Sequence, residues 1–190
     1  MSSNGRVSTS HRGRLRLAGV VSALALAVAL VAVPTSANAY THTGLRWATP
    51  NLRIDTSGAS GASKTALSSA ISHISDRTDV LLLGTSATDP TWKARNGNYG
   101  ATGWEGLNST TQLAGRTLSS LSRVNTHYVA NTTANQARIR VIWLHELSHG
   151  LGLGHVTSKT RVMYTSASVA YNNGVRNLTS DEINGINTLY

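Results

Sequence analysis

The 190-residue chain predicts an α+β domain built on a mostly parallel sheet, and three observations carry that prediction. First, alternating apolar residues, a helical apolar stripe and a short apolar run follow one another as strand, helix, strand between Leu45 and Leu83. A right-handed crossover then makes the two strands parallel neighbours. Second, a long helical segment leads into HELSHGLGLGH, His145 to His155. Third, the chain closes on a helix with its own start signal at Thr179.

The N-terminal stretch belongs outside that domain. Arg6, Arg12, Arg14 and Arg16 precede an apolar run from Leu17 to Val33, and Ala37-Asn38-Ala39 follows. Basic, apolar and small-residue regions in this order describe a secretory signal peptide over 1–39. A transmembrane anchor is the competing reading, since the run is about the minimum that spans a bilayer. The Ala-Asn-Ala site favours cleavage before Tyr40, leaving 40–190 as one domain. That length buries a core unaided, as it must, for the chain has no cysteine and forms no disulfide. A secreted, extracellular monomer with no membrane attachment after cleavage is the expectation. Thirteen basic against eight acidic side chains in 40–190 leave a charge of +5. The charges are read as surface solvation, and with no basic cluster interleaved with aromatics, no nucleic-acid partner is expected.

The elements of 40–190 follow in order. Leu45 with Trp47 and Leu52 with Ile54 alternate along two extended pieces broken by Pro50, a first strand. Leu67, Ala70, Ile71 and Ile74 recur at i, i+3, i+4 and i+7, one face of a helix. Val80 to Leu83, closed by Gly84, reads as a buried strand. The segment from Gly84 to Leu113, with Pro90 and four glycines between 97 and 106, predicts loops and one or two short strands. Leu118, Leu121, Val124 and Tyr128 mark a further strand. Thr133 and Gln136 fit a capping box that opens a helix running through Leu151, where Gly152 stops it. Thr179 and Glu182 fit a second box, and Ile183, Ile186 and Leu189 give the last helix an apolar face.

His145 and His149 lie four residues apart on the long helix, within roughly 40° of each other around its axis. Two imidazoles so placed grip one ion, and catalytic zinc takes three protein ligands and a water. The helix stop at Gly152 lets the chain turn so that His155 completes the set. Glu146 projects beside the pair, near the open position. Zinc lowers the pKa of bound water towards about 7. Glu146 is then the general base that takes the proton and later hands it to the leaving amine of a peptide bond. A surface helix with two histidines and a glutamate is the plain alternative; Gly152, His155 and the helical context outweigh it.

With those residues in place the chain resembles the metzincins, whose signature is HExxHxxGxxH followed by a Met-turn. Met163 in Arg161-Val162-Met163-Tyr164 resembles the methionine that floors the zinc site in that family. Within the metzincins it is most similar to the matrixins, through Val124-Asn125, Val162-Met163-Tyr164 and the segment Leu178 to Ile186. The resemblance implies a twisted five-stranded sheet, two long helices beneath it, a small C-terminal subdomain and one catalytic Zn2+. It also implies that Thr165 to Asn173 walls the S1′ pocket, with Tyr164 and Tyr171 as candidates for the wall or as packed aromatics. Ser148 stands where matrixins usually have Gly, Gly150 where they usually have Ala, and Thr165 where they usually have Pro. Thr165 also removes the tyrosine that can touch zinc in astacin-like and serralysin-like members, and His155 differs from the Asp ligand of snapalysin-type proteases. The His/Asp-rich loop that binds structural zinc and calcium in animal matrixins is not recognisable around Asp89 and Glu105, so structural Ca2+ has no support. His42, His73 and His127 are read as ordinary polar residues. With no cysteine switch and no room for a prodomain after Tyr40, the enzyme is expected to be exported active or restrained by a separate protein inhibitor. Asp181 is free either to pair with the Tyr40 amine, as the resemblance implies, or simply to favour its helix N-terminus.

The expected function is therefore a secreted zinc-dependent endopeptidase acting on protein or peptide substrates. A zinc peptidase narrowed to cell-wall peptides or one host protein shares the chemistry and differs in the cleft. A non-catalytic binding protein on the same scaffold is the third reading; the loss of Glu146 or a ligand that would favour it has not occurred.

Overall fold

A computed structural model of the chain describes residues 40–86 and 90–190. The signal segment expected over 1–39 and Asp89 lie outside the described residues. Strand β2 (Asn51–Gly58), helix α1 (Gly61–Arg77) and strand β3 (Leu81–Thr85) form the expected crossover, and β2 pairs with β3 in parallel. Strands β4 (Trp92–Gly97), β5 (Gly106–Leu113) and β6 (Arg116–Asn125) complete a five-stranded sheet in the order β3-β2-β4-β6-β5. Only the β5–β6 pair is antiparallel. Its two-residue turn has positive φ at both Ala114 (48°) and Gly115 (75°), the backbone whose twist suits a tight hairpin. Among the described residues no helix is long and apolar enough to cross a membrane.

Helices α1 and α2 (Gln136–Gly150) cover one face of the sheet. Leu67, Ala70, Ile71 and Ile74 of α1 are buried there, as their spacing predicts. Leu52, Ile54, Leu82, Trp92, Ala94 and Val124 meet them from the strands, with Ile139, Ile142, Trp143 and Leu147 from α2. Trp47 stacks on Trp92 with centroids 5.5 Å apart, and its indole N–H donates to the Gly150 carbonyl at 2.9 Å. A Cβ on residue 150 would come within 2.3 Å of the Trp92 ring, so an indole occupies the space a side chain there would need.

Several elements depart from expectation. Leu45 to Trp47 is not part of the first strand; Arg46 makes only an isolated bridge to Arg116. Strand β3 is an edge, so Leu82 is buried while Leu81 and Leu83 are exposed. On β6 the buried side chains include Ser120 and Ser122, whereas Leu118 is exposed and Tyr128 lies beyond the strand. Thr133 makes no capping box, because a 3-10 turn over Thr133–Asn135 takes up the start of the helix. The second box does form at α4 (Ser180–Asn187): Glu182 accepts the Thr179 N–H at 2.8 Å.

The remaining elements are β1 (Thr41–His42), β7 (Leu153–Gly154) and α3 (Ala167–Asn172). β1 pairs antiparallel with β7, and the Thr41 hydroxyl donates to the His155 carbonyl at 2.8 Å.

Candidate active site

Helix α2 carries His145 and His149 on its last turn but one and its last turn, both facing the cleft. The chain then reverses at Gly152, whose φ is +104°. A side chain there would place its Cβ 2.2 Å from the Leu45 carbonyl oxygen, so both conformation and space require glycine. Strand β7 follows, and β1 holds it in register so that His155 turns back on the helix pair.

The three Nε2 atoms converge: His145 to His149 is 3.0 Å, His149 to His155 is 3.1 Å and His145 to His155 is 3.2 Å. Three ring nitrogens cannot all donate to one another at such separations. A tetrahedral zinc with nitrogens at about 2.0–2.1 Å sets its ligands roughly 3.3 Å apart, which this triangle fits. The opposite ring atoms support the same reading. Nδ1 of His145 donates to the Val162 carbonyl at 2.7 Å, and Nδ1 of His149 to the Leu153 carbonyl at 2.8 Å. Those bonds fix the tautomers that leave Nε2 lone pairs facing the centre. Burial holds His145 down to about 3 and His149 to about 4, and lowers His155 as well, a shift towards the neutral form that ligands require. Among the described residues these three form the one group able to hold a metal ion.

Met163 is fully buried, one residue after the Val162 carbonyl that bonds His145. Its N–H donates to Glu182 Oε1 at 2.9 Å and its carbonyl accepts from the Val156 N–H at 2.9 Å. Glu182 thereby joins the start of α4 to the turn whose Val162 carbonyl orients His145, a role beyond capping. Asp181 forms an ion pair with Arg161. Tyr40 packs on Gly185, where a Cβ would lie 2.7 Å from its ring.

Glu146 is buried beside the histidines, and its carboxyl lies over Gly106 of β5, where a Cβ would come within 2.3 Å of Oε1. Burial first, and then the nearby Glu105 charge, push its pKa up to about 8, against a backbone hydrogen bond from Asn108 and the Arg123 charge. A divalent cation alongside favours the ionised form.

His145, Glu146, His149 and His155 line one cleft of about 830 Å³. Residues 165–168 form part of its wall, but Tyr164 and Tyr171 are not among the lining residues. Both pack half-buried against the core, and Arg176 stacks over the Tyr171 ring at 3.8 Å. The lining instead includes Trp104, Glu105, Asn108, Tyr128 and Arg138, which sequence reasoning did not select. Glu105 braces the wall, accepting from the Ser166 hydroxyl at 2.9 Å, the Ser168 N–H at 2.8 Å and the Ser168 hydroxyl. Arg138 was within reach of the pattern, for it stands seven residues before His145 and so on the same helix face. His42, His73 and His127 lie elsewhere: His42 donates to the Gly185 carbonyl, His73 accepts the Leu178 N–H, and His127 packs edge-on against Tyr128.

Comparison with known proteins agrees with this geometry. A protein of Spodoptera frugiperda ascovirus 1a that bears the name matrix metalloproteinase is 48% identical over 48 residues, which are 25% of this chain and 12% of that protein. The matched stretch is thus a small part of the relative's length. The matrixin family profile matches residues 62–190, the greater part of the chain, including His145, Glu146, His149 and His155. Sheet order, histidine triangle and buried methionine turn accord with that match, and the chain belongs to the matrixin family.

Proposed function

We propose that this chain is a secreted zinc-dependent endopeptidase in which Glu146 is the general base. The observation that carries the reading is the placement of the Glu146 carboxyl and the three converging Nε2 atoms in one open cleft. Zinc bound there would polarise a peptide carbonyl and supply a water of lowered pKa. His145, His149 and His155 would hold the ion, and the Val162 and Leu153 carbonyls keep the first two from rotating. Glu146 takes a proton at its carboxylate and returns it to the leaving amine. The missing side chain of Gly106 is what lets the carboxyl lie there, since a Cβ would come within 2.3 Å of Oε1. β5 is an edge strand and four of its residues line the cleft, which suits the addition of an extended peptide as a further strand.

The test uses the protein recovered from the culture medium, whose N-terminus is expected at Tyr40. Peptide release from casein should require zinc, stop with a chelator, and fall roughly 10²–10⁴-fold in Glu146→Ala, the range of a lost acid–base group. Equal rates for wild type and Glu146→Ala, or indifference to the chelator, would overturn it.

A further inference from the structure

Arg138 carries the one guanidinium among the described residues that line the cleft. It lies on the same face of α2 as His145, two turns nearer the N-terminus and roughly 10 Å along the axis. Its side chain is 33% exposed. Nε donates to the Ser168 hydroxyl at 2.7 Å, which fixes the plane of the group against the wall. Glu105 forms an ion pair with the guanidinium at 3.7 Å, outside hydrogen-bond distance, and its oxygens accept their hydrogen bonds from Ser166 and Ser168. The four terminal N–H groups of Arg138 therefore have no hydrogen-bond partner among the described residues. An apolar side chain laid over them would bury those donors unsatisfied, whereas a carboxylate accepts two of them in parallel. With a divalent ion on the histidines, positive charge in the cleft exceeds that of Glu105 and Glu146, so an anionic group is favoured there as well.

We infer that Arg138 is a specificity-determining residue that receives the side-chain carboxylate of an Asp or Glu in the substrate, within two residues of the scissile bond. This rests on the peptidase reading. Lys cannot replace the planar fork in full, since it offers a point charge in place of paired donors.

The experiment compares C-terminally amidated peptides identical except for Glu or Gln near the scissile bond, with the mature zinc-loaded protein. The expected Glu:Gln ratio of kcat/KM is about 10–100 for wild type, expressed mainly in KM. It should fall to about 1 in Arg138→Met and to an intermediate value in Arg138→Lys. A wild-type ratio near 1, or a ratio retained in Arg138→Met, overturns the inference. So does a preference that appears only when the same peptides carry a free C-terminal carboxylate. Calorimetric binding of the two peptides to zinc-loaded Glu146→Ala measures the ratio without turnover. If no peptide is cut, the peptidase reading fails, and this binding ratio still decides the role of Arg138.

Discussion

Ser148 is fully buried between two zinc-site residues of α2, and its hydroxyl has no hydrogen-bond partner among the described residues. An unsatisfied buried hydroxyl costs free energy, and Ala is the better helix former. Ser148→Ala should therefore stabilise the protein by about 1 kcal/mol, raising Tm by about 2–4 °C in a scanning melt. A lower Tm would mean the hydroxyl has a partner after all. His73 supplies a pH effect. Its Nε2 accepts the Leu178 N–H at 3.2 Å, which ties α1 to the segment before α4. Burial, followed by the Arg140 and Arg77 charges, lowers its pKa against the opposing Asp76. The unfolded chain thus binds this proton more readily than the folded one. The stabilisation is fully present above the unfolded value of about 6.5 and is lost as pH falls through the lower folded value. Urea unfolding across that window should show wild type losing stability relative to His73→Gln, whose amide offers an acceptor that does not titrate; parallel curves would remove His73 from the account.

At the scale of elements, α1 and the α4 cap were legible because each is a local pattern: an apolar stripe at helical spacing, and two residues three apart. β6 was legible as a strand but not in its facing. Its inner face is lined by Ser120 and Ser122, which the Trp92 indole and the Asn108 amide satisfy from neighbouring strands. Only those tertiary donors make serine a tolerable core residue, and without them the leucines look like the inward face. The Ala114-Gly115 turn escaped notice for a related reason, since a positive φ at alanine is something the hairpin imposes rather than something alanine favours. Gly152 lies at the opposite extreme, readable from its position alone. Gly152→Ala combines a disfavoured positive φ with a clash against the Leu45 carbonyl. It should cost about 2 kcal/mol or more and weaken zinc binding by displacing His155, as measured by chelator competition. Unchanged zinc affinity would show that the turn does not position the third ligand.

Across the whole molecule, the two ends of the described domain meet beside the three histidines. β1 clamps β7 beside His155, Tyr40 packs on Gly185 of α4, and Glu182 reaches from that helix to the Met163 turn. The histidine motif was legible in eleven consecutive residues. What supports it was invisible there, because Glu182, Glu105 and β1 reach the site only through contacts across the fold. The same holds for the cleft wall: Tyr164 and Tyr171 are near Met163 in sequence, yet packing turns both towards the core.

The stacked Trp47 and Trp92 give the protein an optical readout of its own metal centre. One indole donates to the carbonyl of the residue after His149, and the other fills the space beside that residue's Cα. Any loosening of the end of α2 must change the polarity and contacts of this pair. Intrinsic fluorescence should therefore shift as zinc is withdrawn, reverse when it is restored, and respond to zinc in Glu146→Ala as it does in the wild type. An emission spectrum indifferent to a chelator that strips the metal would show that the helix end holds its shape without the ion.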